Sequence, residues 1–470
     1  MTKKKQINSR IVKVACLFML VGFACSPGET VRNVPNIVLI NIDDMGWKDV
    51  GFMGSEYYET PNLDALAEQG MVFTNGYAAA ANCAPSRACL MTGKWTPRHG
   101  VYTVNSSERG ASKHRKLIPI KNTRTLADSF IIIPEILQQN GYATCHAGKW
   151  HLSKNPLNYG FQLNIGGSHA GHPRSYYPPY KNVEIEDGSS EYLTDLVMEK
   201  AVEFLDTVRQ PFFLNYSPYA VHTPIQPVDS LIHNYQNKPS FQGQQNPDYA
   251  TMVENLDRNI GWLLSTLKEK EVFDNTFIIF TSDNGGLYGV TMQKPLRAGK
   301  GSYYEGGIRE PFLFVWKGEV DPNLKSDIPI TNMDIFPTLL NVAGVDGSKY
   351  ELDGTNLLPL LQGKTQQLDR KQFWHFPIYL QAYNVHKNET RDSLFRTRPG
   401  SVVRYGDWKL HYYFEDDGIE LYNLANDIGE RNNLANENPE KTEEMLTYLE
   451  QWWKETNAPI PQDLNPDYEE

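Results

Sequence analysis

Four segments of this chain share one form: an unbroken apolar run that stops at residues able to do chemistry. "NIVLINIDD" (36–44) ends in Asp43 and Asp44, and "GYATCHAGKWHL" (141–152) ends in Lys149 and His151. "PFFLNYSPYAVHTP" (211–224) reaches His222, and "TFIIFTSDNGG" (276–286) ends in Asp283 and Asn284. Apolar runs of this length, without polar alternation, suit strands buried on both faces, the mark of a parallel sheet. Helical patterns lie between them at 60–70, 129–141, 192–208 and 248–270. The alternation predicts an α/β fold with a large domain whose mostly parallel sheet is flanked by helices. In such sheets ligands bind beyond the carboxyl ends of the strands. The four polar clusters are therefore expected to gather at one edge.

After "DGTNLLPLLQGK" (353–364) the texture changes. "SVVRYGDWKLHYYFEDDGIELYNL" (401–424) places turn residues between short, partly alternating strands, which predicts an antiparallel sheet. "NPEKTEEMLTYLEQWWKETN" (438–457) reads as a closing helix. The expected organisation is a catalytic α/β domain over 34–365 and a smaller C-terminal subdomain over 366–470. The net charge of −11 argues against nucleic-acid binding, which needs a basic face. It leaves room for an anionic substrate, because a few local cations define one pocket.

Residues 1–25 read as an export signal. Lys3, Lys4, Lys5, Arg10 and Lys13 precede the apolar run "VACLFMLVGFA" (14–24), which is too short to span a bilayer comfortably. Cys25 follows a small residue, as in lipoprotein signals, where that Cys is lipidated; ordinary cleavage nearby is the alternative. Either outcome implies an exported protein, in the periplasm or at the cell surface, with a membrane link only through such an anchor. Of five cysteines, Cys83, Cys89 and Cys145 remain beyond the signal. They allow one internal disulfide at most, Cys89 with Cys145, or three buried thiols.

Asp43, Asp44, Asp283 and Asn284 offer hard oxygens from two strand ends, a set that suits Ca²⁺ or Mg²⁺ better than zinc. The plainer reading is that the first pair caps a helix and "SDNGG" makes a turn. Pro85 fits the first turn of a helix, which places Cys83 at a helix N-terminus with Arg87 one turn on. That is the setting of an activated thiolate, or of a buried Cys beside a surface Arg.

The residues "CAPSRACLMTGKWTPRHGVY" (83–102) resemble the signature of the Cys-type sulfatases, within the alkaline phosphatase-like superfamily. "GYATCHAGKWHL", "PNIVLINIDDMGW", "AVHTP", "FTSDNGG", "LRAGKGSYYEGGIREP" (296–311) and "ELYNLANDIGERNNLA" (420–435) are similar to further blocks of that family, in its order. The resemblance implies that a maturase reads Cys83, Pro85 and Arg87 and oxidises Cys83 to formylglycine. Its hydrate would attack sulfur through one hydroxyl and expel sulfate with the help of the second. It further implies one Ca²⁺ held by Asp43, Asp44, Asp283, Asn284 and the modified Cys83. Arg87, Lys149 and Lys300 would serve as cations, His222 as the acid for the leaving alcohol, and His151 as the partner in sulfate release.

Substrate contacts are expected from His169, His172 and Arg174 in "GGSHAGHPRSYYPPYK" (166–181), from His375 in "FWHFP" and from Arg404. The resulting expectation is a calcium-dependent hydrolase of sulfate esters on oligosaccharides or polysaccharides, resembling bacterial carbohydrate sulfatases. Two alternatives are a phosphodiester or phosphonate hydrolase of the same superfamily and a non-catalytic glycan-binding lipoprotein.

Overall fold

The computed structural model describes residues 34–209, 211–383 and 388–469. The signal, with Cys16 and Cys25, lies outside them. Among the described residues no helix is long and apolar enough to cross a membrane.

The four apolar runs are strands of one nine-stranded sheet. In chain order its strands are β1 (Asn36–Ile42), β2 (Met71–Tyr77), β3 (Ala143–Gly148), β4 (Leu163–Ile165) and β5 (Phe212–Ser217). They continue with β6 (Thr276–Ser282), β7 (Arg309–Val315), β8 (Leu324–Ser326) and β9 (Ile330–Thr331). The spatial order is β4-β3-β5-β1-β6-β7-β2-β8, with β9 also on β2. From β4 to β6 every pairing is parallel, whereas β7 runs antiparallel to both β6 and β2.

Alternation along β1, with a core on each face, explains why the run is apolar from Ile37 to Ile40. Val38, Ile40 and Ile42 enter one core, and Ile37 and Leu39 enter another on the opposite face. Leaving aside single-turn helices, the first core is closed by α1 (Pro61–Ala67), α4 (Leu193–Thr207) and α5 (Pro247–Glu269). The second is closed by α2 (Cys83–Thr92), α3 (Ile133–Gln139) and α6 (Ile335–Val342). The helix expected over 129–141 is therefore shorter, beginning at Ile133 with Pro134 in its first turn, where its missing N–H costs nothing.

The C-terminal texture resolves into an antiparallel sheet of β10 (Gln372–Phe376), β13 (Gly400–Tyr405), β14 (Trp408–Tyr413) and β15 (Gly418–Asn423). A separate ribbon pairs β11 (Leu380–Gln381) with β12 (Phe395–Thr397). One face of the four-stranded sheet packs Phe373, Val403, Leu410 and Leu421 on Met445, Leu449 and Trp452 of α7 (Pro439–Thr456). The other packs Trp374, Phe376 and Val402 on Tyr77, Tyr303 and Ile308. Both faces are covered, and Val34–Glu470 form one compact unit.

Charge fastens this contact as well as apolar area. Glu305 accepts from Tyr77 Oη (2.8 Å), Arg309 Nε (2.6 Å) and Lys409 Nζ (2.8 Å). Lys409 Nζ also reaches Glu430 (2.9 Å), which takes His411 Nε2 at 3.0 Å and the Glu305 N–H. Burial would raise the Glu305 carboxyl, but Lys409 and Arg309 outweigh it and hold the group well below the usual carboxylate range. Removing one partner leaves a buried charge exposed to its like neighbour. Lys409→Ala is expected to lower the unfolding free energy by about 3–5 kcal/mol, measured by denaturant titration. A loss below about 1 kcal/mol would show that the network does not hold the sheet in place.

Candidate active site

Parallel register brings the acids together. β1 and β6 pair with Ile42 opposite Ser282, so Asp43 and Asp44 leave one strand beside Asp283 and Asn284 leaving the other. The Asp44 N–H donates to Asp283 Oδ1 (3.2 Å), and Asn284 Nδ2 donates to Asp44 Oδ1 (2.8 Å). All four residues are buried. Lys149 follows β3 directly and places Nζ 2.7 Å from Asp43 Oδ2. Lys300 Nζ lies 2.7 Å from Asp44. His222 stands on the loop after β5, which the Asp43 backbone holds through Asp43 N–H to Ala220 O and Val221 N–H to Asp43 O.

Cys83 is the first residue of α2, with Asn82 as its N-cap. Arg87, one turn on, donates from Nε to Asp283 Oδ2 (2.7 Å) and from Nη1 to the Lys149 carbonyl (3.0 Å) and Ser217 Oγ. Oxygen or sulfur atoms of Asp43, Asp44 and Cys83 and a ring nitrogen of His222 all lie within 4.8 Å of one another. Asp283 and Asn284 join that group through their bonds to Asp44. His151, in a left-handed conformation (φ 64°), completes the wall around Cys83.

Burial of the thiol would raise its pKa, but Lys149, Lys300 and hydrogen bonds to His151 and His222 prevail and hold it well below the ordinary value. Cys83 is thus an anionic position in a cationic pocket. The two imidazoles are driven apart. Burial and Lys300 push His222 down, yet Asp44, Asp43 and the contact with Cys83 outweigh them and raise it. Burial lowers His151 to about 4, so that ring is neutral. One ring held toward its protonated form and one toward its neutral form beside one thiol suit an acid and a base.

The unsatisfied polar atoms point to what the pocket holds. Arg87 Nη2 and His151 Nδ1 are buried donors or acceptors without a protein partner, as are the acceptors Asp43 Oδ1 and Asn284 Oδ1. Such groups are rare unless a ligand or ion meets them. Burial, opposed by Lys149 and reinforced by Asp283, pushes Asp43 up to about 8. A hard divalent cation would relieve that crowding of carboxylates, and the all-oxygen donor set fits one.

The structure sorts the expected substrate contacts. The His172 ring stacks on His222 with centroids 5.4 Å apart, and His169 meets His151 edge-on at 5.9 Å. Arg174 is exposed on the same loop, its N–H bonded to Asn182. His375 and Arg404 do not reach the pocket, a correction to the sequence reading. His375 is buried under α7, bonded through Nδ1 to Ser401 Oγ (2.7 Å) and Nε2 to Pro459 O (3.0 Å). Arg404 is buried over the Tyr77 ring at 5.1 Å. Neither belongs with a sugar because covered sheet faces enclose both. The disulfide option also falls away: Cys83, Cys89 and Cys145 are free and buried, and Cys89 and Cys145 lie in different cores. Ser217 was missed, although it ends an apolar run just as Asp43 does.

A family model for sulfatases matches residues 35–345, and one for the C-terminal part of N-sulphoglucosamine sulphohydrolase matches 299–457. A sulfatase of Formosa agariphila is 31% identical over 98% of this chain and 96% of its own. Human N-acetylgalactosamine-6-sulfatase is 34% identical over 73% of this chain and 68% of its own. The crystal structure of Ps i-CgsB superposes with a TM-score of 0.74 at 31% identity, covering 92% of this chain and 95% of that one. With the sulfatase model matched over residues 35–345 and a sulfatase relative aligned over 98% of the chain, this chain belongs to the sulfatase family, hydrolases of sulfate esters.

Proposed function

We propose that this enzyme removes O-sulfate groups from a sulfated carbohydrate, with Cys83 converted to formylglycine by a maturase and one Ca²⁺ held beside it. The observation that carries this reading is the pocket's two-sided charge: Arg87, Lys149 and Lys300 around Cys83, and Asp43, Asp44, Asp283 and Asn284 against them. One side suits a sulfate and the other a hard cation. Relatives support the carbohydrate: one is named for a 6-sulfated N-acetylgalactosamine, and Ps i-CgsB was solved with k-i-k-neocarrahexaose. The leader over residues 1–25 supports export to the periplasm or cell surface, anchored through Cys25 where that residue is lipidated.

Hydrated formylglycine at position 83 would supply a nucleophilic hydroxyl, and Ca²⁺ a field that favours its ionisation. The chain's own residues do the rest. Lys149 and Lys300 grip sulfate oxygens and offset the charge that builds there. Arg87, fixed by Asp283, Ser217 and the Lys149 carbonyl, orients the group at position 83. His222 holds the proton that the departing sugar oxygen needs, and His151, neutral, takes the proton from position 83 when sulfate leaves.

The decisive experiment is the mass of the tryptic peptide ending at Arg87, from protein produced with a maturase. Formylglycine at position 83, with reaction of an aldehyde probe, is expected; an unmodified thiol together with full turnover would sink the mechanism. His222→Ala should cut turnover of a sugar sulfate by about 10²–10⁴-fold. It should cost far less on 4-nitrophenyl sulfate, whose leaving group needs no proton; equal losses would remove His222 as the acid. Dialysis against EDTA should lower both turnover and melting temperature, with Ca²⁺ restoring both. Phosphonate and phosphodiester substrates serve as controls, and turnover of these above that of every sulfate ester would favour the phosphoryl-transfer reading.

A further inference from the structure

The loop that carries Lys300 is held from outside by the β11–β12 ribbon. Arg396, on β12, donates from Nη1 to the Lys300 carbonyl (3.0 Å) and from Nε to the Gln381 carbonyl (3.1 Å). Thr397 Oγ1 donates to the carbonyl of Gly301. The Arg396 side chain is only 7% exposed, yet among the described residues no carboxylate bonds to it. Besides these carbonyls it bonds the Tyr383 side chain, and the carboxylate that acts on it, Asp44, is already paired with Lys300, so the buried positive charge is only partly compensated.

Tyr383 supplies a second feature. Its ring lies over the Arg396 guanidinium at 3.6 Å, while 62% of the residue is exposed. One face is pinned by a cation and much of the ring is open, as in an aromatic platform for a sugar. Arg109 belongs to the same rim: its backbone neighbours Glu108 and Gly110 meet Tyr379, Gln381 and Phe395, and its guanidinium, donating from Nη2 to the Val104 carbonyl, is near enough to Arg396 to oppose its charge.

We propose that Arg396, Tyr383 and Arg109 form a second saccharide subsite on the Lys300 side of the centre. It takes a ring that bears its own anionic substituent, sulfate or carboxylate, next to the ring that loses sulfate. This deepens the carbohydrate-sulfatase reading above and rests on it. Tyr383 stacks on the ring, and the guanidinium of Arg396 pairs with the anion.

The test is binding, in a Cys83→Ala background, so that it does not depend on turnover. Three disaccharides with the same sulfated ring are titrated by calorimetry: one with a neutral neighbouring ring, one with a sulfated neighbour and one with a carboxylated neighbour. Arg396→Gln is expected to raise Kd about 10-fold for an anionic neighbour and no more than about twofold for the neutral one. The anion showing the larger loss is the one the subsite reads. Tyr383→Ala is expected to weaken all three about 10-fold, and Tyr383→Phe to restore them, since the stack needs the ring and not the hydroxyl. Melting curves check that each variant is folded. Equal Kd values across variants, or an Arg396→Gln loss that ignores the neighbour's charge, would overturn the subsite and leave Arg396 as a strap on the Lys300 loop. Absent turnover of 4-nitrophenyl sulfate by the Cys83 protein, with these binding differences intact, would instead sink the sulfatase mechanism.

Discussion

The pairing of β1 with β6 is the constraint on which the rest depends. With Ile42 opposite Ser282, three carboxylates leave the sheet within one small volume and out of water. Carboxylates so placed repel one another and lose hydration. Their burial is tolerable because Arg87, Lys149 and Lys300 each arrive from a different part of the chain to pair with one of them. The cations in turn surround the first residue of α2. The buried carboxylates and the cations paired with them are therefore one electrostatic object.

That dependence reaches the C-terminal sheet. Lys300 lies on a loop with no regular structure of its own, and long side chains on such loops wander unless the backbone is fixed. Here the backbone is fixed twice. Arg396 and Thr397 take the carbonyls of Lys300 and Gly301, and a few residues on, Glu305 is clamped by Tyr77, Arg309 and Lys409. The antiparallel sheet is thus more than an appendage. It sets the position of one cation of the centre, and this gives a physical reason for burying so much charge in its contact.

Much of the centre was legible in the sequence because apolar runs fix strands, and the residue after a run must stand at the sheet edge. Asp43, Lys149 and Asp283 are found that way, and Ser217 obeys the same rule. The rule ends where the parallel sheet ends. In "QFWHF" every side chain is buried, because α7 covers one face of β10 and the main body covers the other. Alternation then says nothing about which face a residue takes, and His375 and Arg404 read as substrate contacts. Arg396 and Tyr383 had no signal at all. Their placement depends on a ribbon of two- and three-residue strands packing against a loop almost a hundred residues earlier in the chain, and no local pattern encodes that.

The two walls of the pocket differ in kind, and this bears on how such a centre acquires specificity. On one side, the segment after β4 presses against the imidazoles: His172 stacks on His222, and a side chain at Gly171 would meet the His151 ring at 2.6 Å. That wall is tight around both rings, so a side chain added at Gly171 would have to displace His151. On the other side, Arg396 meets Lys300 at its backbone carbonyl, and Tyr383 lies over the Arg396 guanidinium. A change on the ribbon side therefore reaches the centre through the backbone that carries Lys300, whereas a change on the imidazole side meets the rings directly.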